Sequence, residues 1–482
     1  MSSNSDLTAF ADAAPAASTK GASLAERFDP YFSPVWQDAS GGAAMSWLSN
    51  EALSRLGTEG LVKQRAQGKH HYQSAEEALA ALPFRPKWQK ALGAINLFQT
   101  LTAQQLAAIT DNPDVMYERS VTLDALFIAG LIQRGGFSLW QNRLRTDRTP
   151  ELLRIHPRAH KIDLSHLLYQ DWLGVSAGAF KTRGHNWDRH NLLTTELCLR
   201  VAELCPTIPL VLGEALADLA RYADPKHPPA RERMADGVLL REDGLRILIE
   251  TTVGGVSSAL TAKFDTYTSM LTNDRSDSVT VLFLSAQSSD LYTGVSRRQT
   301  LCRIIGSVIA GLHGRTREKV ARHIAVADWR DWFPEPGTLH RSFRSLTATV
   351  PTGPTSDRWQ PVDLADPMST PMHPSDPSLA IDMETTLTNA ANLYGIPHWQ
   401  RGTVDPDPLI RYLMARAGLP ETLLFDPVTG DLTERPPPVP GRPHRKTWAK
   451  IKKTVGPSPR VLSERWAAAY RTSKHASDTG RR

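Results

Sequence analysis

The run Val279-Thr280-Val281-Leu282-Phe283-Leu284-Ser285 is apolar almost without interruption. A strand of this kind is buried on both faces, so it belongs inside a sheet covered on both sides by helices. Its surroundings fit. Val238 to Leu240 and Arg246 to Glu250 read as paired strands, turning at Glu242-Asp243-Gly244, where Asp-Gly is a strong turn signal. Ile208 to Leu212 and His323 to Ala327 read as further short strands, the second as the last of the set. Asp188 to Leu204, Ser257 to Leu271 and Arg297 to Leu312 read as helices. Residues 187–345 are therefore expected to form a mixed α/β sheet domain.

A chain of 482 residues exceeds one ordinary core, so further units are expected. In residues 86–180, Pro86 opens a helix at the position where its missing N–H costs nothing. Leu92, Ile95 and Phe98 give that helix its apolar face. Thr102 with Gln105 fits a capping box for a second helix. A third helix runs from about Glu118 to Ile132. Two strand-like runs, Phe137 to Leu144 and Leu152 to Ile155, follow Gly135-Gly136. Three short helices and a hairpin make a winged helix-turn-helix. Such a unit is suited to laying its third helix in the major groove and its hairpin on the backbone. Arg134, Arg143, Arg145 and Arg148 cluster around the hairpin as candidate phosphate contacts.

Elsewhere the patterns are weaker. Residues 1–45 are rich in Ser, Ala and Gly and read as disordered. Residues 46–85 carry short helical patterns, beginning at Trp47-Leu48, and read as a helical lead-in. Residues 346–380, rich in Pro, Ser and Thr, read as a linker. Residues 381–434 carry helical patterns at Asp382 to Tyr394 and Pro408 to Ala417. Residues 435–482 hold 13 Lys and Arg against 2 Asp and Glu, a net charge of +11, whereas the rest of the chain sums to −5. Such a tail, with Arg445, Lys446, Lys450, Lys452 and Lys453 at its densest, attracts phosphate backbones in a salt-dependent way. An acidic membrane surface is the competing partner.

Several function classes are set aside. No stretch approaches the run of about 20 apolar residues that a membrane span needs, and the N-terminus lacks the apolar core of a secretory signal. Cys198, Cys205 and Cys302 are too few for a disulfide framework and lack paired zinc-site spacing, so they read as core residues. A cytoplasmic protein, associated with the nucleoid or a plasmid, is expected. No GxxxxGK[ST] phosphate loop occurs, and Gly254-Gly255 does not make one. Ser285 lacks the glycines of a nucleophile elbow. His70-His71 lacks a His-x-His spacing. His185 and His190 stand at i, i+5 rather than i, i+4, so surface or capping roles are expected for them.

The chemistry concentrates in Asp236-Gly237-Val238-Leu239-Leu240 and Ile247-Leu248-Ile249-Glu250. Paired strands bring Asp236 and Glu250 together. Strand alternation sets Leu245, Ile247 and Ile249 on one face and Arg246, Leu248 and Glu250 on the other. Two carboxylates can hold Mg²⁺ or Mn²⁺ through oxygen while leaving waters on the ion, one of them a nucleophile against a phosphodiester. Glu214, after its own strand, is a third candidate carboxylate.

This arrangement resembles the PD-(D/E)xK nuclease superfamily. With the upstream module, the chain resembles the actinobacterial replication-relaxation family of plasmid and integrative-element proteins. The stretches that carry the resemblance are LTAQQLAAIT, LDALFIAGLIQRGG, RHNLLTTELCLRVAEL, LGEALADL, ADGVLLREDGLRILIETT and ALTAKFDTYTSML, over roughly residues 86–330. The resemblance implies a role on DNA in plasmid replication, mobilisation or relaxation. Two positions depart from the superfamily pattern: Ala235 stands where a proline precedes the aspartate, and Thr252 stands where the lysine follows the glutamate. Lys263, in the next helix, is the candidate replacement for that amine. The expectations are a Mg²⁺-dependent DNA endonuclease with Asp236 and Glu250 as metal ligands and Glu214 and Lys263 assisting. The alternatives are a non-catalytic DNA-binding initiator or accessory factor and a protein-interaction scaffold, either one on a degenerate nuclease fold. A dimer is compatible with each.

Overall fold

The computed structural model describes residues 6–13, 19–33, 44–59, 71–82, 86–117, 119–138, 150–164, 174–176, 180, 188–219, 234–241, 243, 245–253, 258–272, 274–287, 296–352, 358–370, 393–400, 423–425 and 432–434. In chain order the elements are β1 (Leu7–Ala9), α1 (Phe10–Ala13), β2 (Ala44–Leu48), α2 (Asn50–Thr58), α3 (Ala75–Ala81), α4 (Pro86–Phe98), β3 (Thr100–Thr102), α5 (Ala103–Thr110), α6 (Val121–Ile128), β4 (Ile132–Ser138) and β5 (Leu152–Ile155). There follow α7 (Asp188–Leu204), β6 (Leu210–Gly213), β7 (Gly237–Leu240), β8 (Arg246–Thr252), α8 (Ser258–Leu271), β9 (Val279–Ser285), α9 (Arg297–Ala310), α10 (Gly314–Arg322), β10 (Ile324–Asp328), α11 (Trp329–Trp332), β11 (Thr338–His340), β12 (Thr347–Pro351), β13 (Trp359–Asp363), β14 (Leu423–Phe425) and β15 (Leu432–Glu434). The class is mixed α/β. No helix among the described residues is long and apolar enough to cross a membrane.

The principal sheet has the order β13-β12-β10-β9-β8-β7-β6. Its strands β6, β7 and β8 form an antiparallel meander, with Leu212 opposite Val238 and Val238 opposite Leu248. The three strands β8, β9 and β10 are parallel, with Glu250 beside Phe283 and Val326 beside Phe283. Every residue of β9 is buried, as its apolar run requires. Helix α8 packs on one face, where Phe264 and Tyr267 meet Phe283. Helix α7 packs on the other, where Thr194 Oγ1 lies 2.8 Å from Thr251 Oγ1.

Residues 86–155 form three helices and the strands β3, β4 and β5, and β2 from residues 44–48 joins these strands in a smaller sheet of order β2-β4-β5-β3. Pro86 begins α4, and the Thr102–Gln105 capping box closes the first turn of α5. The two halves share one hydrophobic core. At Gly213 in β6, a Cβ would lie 2.3 Å from the Leu97 carbonyl oxygen of α4, so only glycine permits this approach.

Several expectations are corrected. Residues 6–13 and 19–33, within the segment expected to be disordered, are ordered. β1 pairs with β11, Phe10 is buried, and the Arg27 guanidinium bridges Glu196 and Glu203 of α7. A low-complexity composition concealed a few anchoring side chains. Trp47-Leu48 belongs to a strand rather than a helix, because Trp47 packs its ring beneath Arg154 and donates Nε1–H to Asp188. The strand expected from Phe137 begins earlier, at Ile132, and is described to Ser138; residues 139–144 lie outside the described residues.

Residues 346–380 are not simply a linker: β12 and β13 lie there and complete the principal sheet. Thr347-Ala348-Thr349-Val350 alternates between half-buried and buried, and Pro361 sits on an outermost strand, where a missing N–H is tolerated. β10 is therefore not the last strand. Of residues 381–434, the described part is a 3-10 turn at His398–Gln400 and the β14–β15 pair, rather than helix. Most of the expected helices, at Asp382 to Tyr394 and Pro408 to Ala417, and the tail 435–482 lie outside the described residues.

Residues 393–400 pack across α4. A Cβ on Gly395 would lie 2.3 Å from the Gly93 carbonyl oxygen, so the two backbones touch. Beyond this crossing, the Gln400 side chain accepts from Val211 N–H at 2.9 Å and donates to Ile208 C=O at 3.2 Å.

Candidate active site

The meander brings Asp236 and Glu250 to one end of the principal sheet. Asp236 stands just before β7, its backbone N–H donating to Ile249 C=O at 2.8 Å and its Oδ2 accepting from Thr251 N–H at 2.7 Å. These bonds fix the Asp236 carboxylate beside the end of β8. Glu250 points from β8 toward α8. Both carboxylates are buried, at 7% and 5% exposure.

Helix α8 supplies the answering groups. Lys263 and Tyr267 are one turn apart and share a face. Lys263 Nζ donates to Glu250 Oε1, and Tyr267 Oη–H donates to Glu250 Oε2 at 3.0 Å. The ammonium also lies 5.7 Å from the Tyr267 ring centroid. Lys263 thus brings an amine from the next helix to the carboxylate of β8, whereas Thr252 donates its hydroxyl to Leu284 C=O.

Two more carboxylates border the group. Glu214 opens a 3-10 turn after β6, and Asp218 bridges to Met234 just upstream of Asp236; both are buried. On the opposite face, His190 Nδ1 lies 2.8 Å from Thr251 C=O. A carbonyl only accepts, so Nδ1 carries the proton.

The electrostatics follow from burial. Desolvation pushes the Glu250 carboxyl up to about 7; Lys263 opposes the shift and the Asp236 charge adds to it. Burial works to lower the Lys263 ammonium, but Glu250, Asp236 and Glu214 outweigh it and hold the pKa above its ordinary value. Burial, then Glu250 and Asp236, push the Tyr267 phenol well up, so it remains a donor. Burial lowers His190 despite the attraction of Asp236, which favours a neutral ring. Several carboxylates thus share a single ammonium in a low-dielectric site.

That surplus of negative oxygen fits a hard divalent cation. Among the described residues, no group of three or more His, Cys, Asp or Glu gathers closely enough to hold a metal ion. The expected donor set is the pair Asp236 and Glu250. Mg²⁺ commonly binds through one or two carboxylates and keeps its remaining waters.

The expected site residues thus separate. Asp236, Glu250 and Lys263 converge, and Glu214 lies close enough for its charge to act on Lys263. Arg134 is engaged within the fold: Nη1 donates to Asp124 at 2.8 Å and Nε to Glu151. Arg143, Arg145, Arg148, Arg445, Lys446, Lys450, Lys452 and Lys453 lie outside the described residues. Helix α6, expected to enter the major groove, is buried from Thr122 to Ile128 and covered by α3 and α4. No side of it is open to a groove in this arrangement.

Sequence reasoning missed Tyr267, Asp218 and His190 as neighbours of the site. Tyr267 carried a usable signal, four residues beyond Lys263. His190 gave none, because its partner is a main-chain carbonyl distant in sequence. It is half-buried, with its ring tied to the Thr251 carbonyl rather than to a helix end; His185 lies outside the described residues. Compared with protein families, curated proteins and solved structures, the chain matches none.

Proposed function

We infer that this chain is a DNA-binding protein of plasmid or mobile-element replication or mobilisation, with a metal-dependent phosphodiesterase site at Asp236, Glu250 and Lys263. The observation that carries the reading is the Lys263–Glu250 contact beside Asp236. It joins two carboxylates and an amine although the amine comes from α8 rather than from the strand. The meander β6-β7-β8, followed by α8 and parallel β9, agrees with a PD-(D/E)xK core. The order α4, β3, α5, α6, β4, β5 agrees with a winged helix.

Asp236 and Glu250 would hold the ion, and Glu214 would add negative potential. The Lys263 ammonium would face the charge that develops on a phosphorane, in a site where water is scarce and the interaction correspondingly strong. Tyr267 would hold the second oxygen of Glu250 in place. When bound, Mg²⁺ or Mn²⁺ supplies Lewis acidity and a water of lowered pKa.

A second reading has its own observation. Both oxygens of Glu250 are already engaged, by Lys263 and Tyr267. A protein that uses this domain as a non-catalytic DNA platform would keep such closed pairing.

Nicking of supercoiled plasmid in Mg²⁺ or Mn²⁺ decides between them. The catalytic reading expects nicking by the wild type, and its loss by at least about 100-fold in D236A, E250A and K263A, the scale of removing one electrostatic contributor. The absence of nicking by the wild type in either metal, with DNA binding retained, would establish the platform.

A further inference from the structure

A cavity of about 450 Å³ opens at the other end of the principal sheet from Asp236 and Glu250. That volume falls in the range of small-molecule sites. It exists because α10 has nine residues and packs on β10 and β12, leaving space above β13. Its floor is Leu245, the residue preceding β8, with Val350 of β12 and Val362 of β13, and the polar side chains of Thr280 and Gln360 beside them.

The rim is cationic on one side. Arg315, Lys319 and Arg322 follow each other at i, i+4 and i+7 along α10, which sets them on one helix face toward the cavity. Two carboxylates, Asp277 and Glu318, share the rim. Asp277 is occupied by Lys319 Nζ at 3.3 Å and lies 3.9 Å from His323 Nε2. His323 Nδ1 is tied to Val279 C=O at 2.6 Å. Among the described residues no ion pair engages Arg315 or Arg322. Two guanidiniums therefore stand over an apolar floor, in a rim whose formal charges leave one positive unit.

A flat apolar body would displace water from the floor, and an anionic group attached to it would reach the fork of an arginine, which suits phosphate and sulfonate oxygens. We propose that this cavity binds a small organic anion, a phosphate or sulfonate carried on a flat apolar body, at a site separate from the carboxylate cluster. A nucleic-acid backbone is the less suitable occupant, because it would use the exposed arginines and leave the enclosed floor empty.

The test uses the full chain and 8-anilinonaphthalene-1-sulfonate, an aromatic sulfonate that fluoresces on leaving water, with AMP and inorganic phosphate as competitors. The wild type should bind one probe molecule. AMP should displace it at concentrations about ten-fold or more below those of inorganic phosphate, since the body as well as the charge contributes. R315Q/R322Q should weaken the probe by about ten-fold or more, the loss of at least one charge-assisted contact. V362W, which fills the floor, should abolish binding while near-ultraviolet circular dichroism and Tm show a folded chain. Probe binding unchanged in either variant would overturn the proposal. So would equal displacement by AMP and inorganic phosphate, which would assign the anion to the open face of α10.

Discussion

Glu250 shows how a single side chain can be set against its own fold. Its carboxyl is pushed up to about 7 from an ordinary 4.5, chiefly by burial. A carboxyl whose folded pKa is raised contributes stability that is fully present below about 4.5 and is lost as the pH rises through about 7. The wild type should therefore lose up to about 3 kcal/mol from this group between pH 4.5 and 8. The double variant E250Q/K263M, which removes both charges, should lack that component. Urea unfolding at pH 5 and pH 8 measures the difference; identical slopes in the two proteins would remove the assignment. Asp236 and Glu250 were legible in the sequence because strand pairing brings them together. The contact of Lys263 was legible only as a candidate, since it depends on how α8 lies over β8.

At the scale of elements, apolar periodicity located the principal strands and helices between 188 and 328, because each buries a face in one core. It failed where anchoring is sparse. β12 and β13 lie in a stretch whose Pro, Ser and Thr read as a linker, and only the alternation in Thr347-Ala348-Thr349-Val350 announced a strand. Helix α6 was found, but its exposure was misjudged. The elements that cover it, α3 and α4, were seen separately in the sequence, and nothing in their patterns fixed their docking on α6. Asp124 on α6 has 1% exposed side chain and pairs with Arg134, while its Oδ2 accepts from His71 N–H at 3.3 Å. D124N leaves Arg134 with Glu151 as its charge partner and, by weakening one charge-assisted contact, should cost about 2 kcal/mol. Guanidinium unfolding measures this. A variant of unchanged stability and weakened DNA affinity would instead assign α6 a direct contact with DNA.

Across the whole molecule, the N-terminal residues 19–33 tie the two halves together. Arg27 and Arg200 share the buried Glu196; Arg27 also reaches Glu203, and Arg200 reaches Asp29 at 2.8 Å. Gln105 of α5 donates to the same Glu196 at 3.2 Å, which brings the helical half into the network. R27A strands buried carboxylates and should destabilise the fold by about 3–5 kcal/mol. Calorimetry should show the loss as a lower midpoint of a single transition, because one core runs through both halves; two separated transitions in the wild type would contradict that coupling. The Gln400 amide has a different consequence. Among the described residues β6 has a neighbouring strand on one side only, and Gln400 bonds the main chain at Ile208 and Val211 much as another strand would. Stripped of this amide, that border becomes a template for pairing with a second chain. Replacing Gln400 with alanine should then make the protein self-associate more strongly as its concentration rises, with no change in the carboxylate cluster.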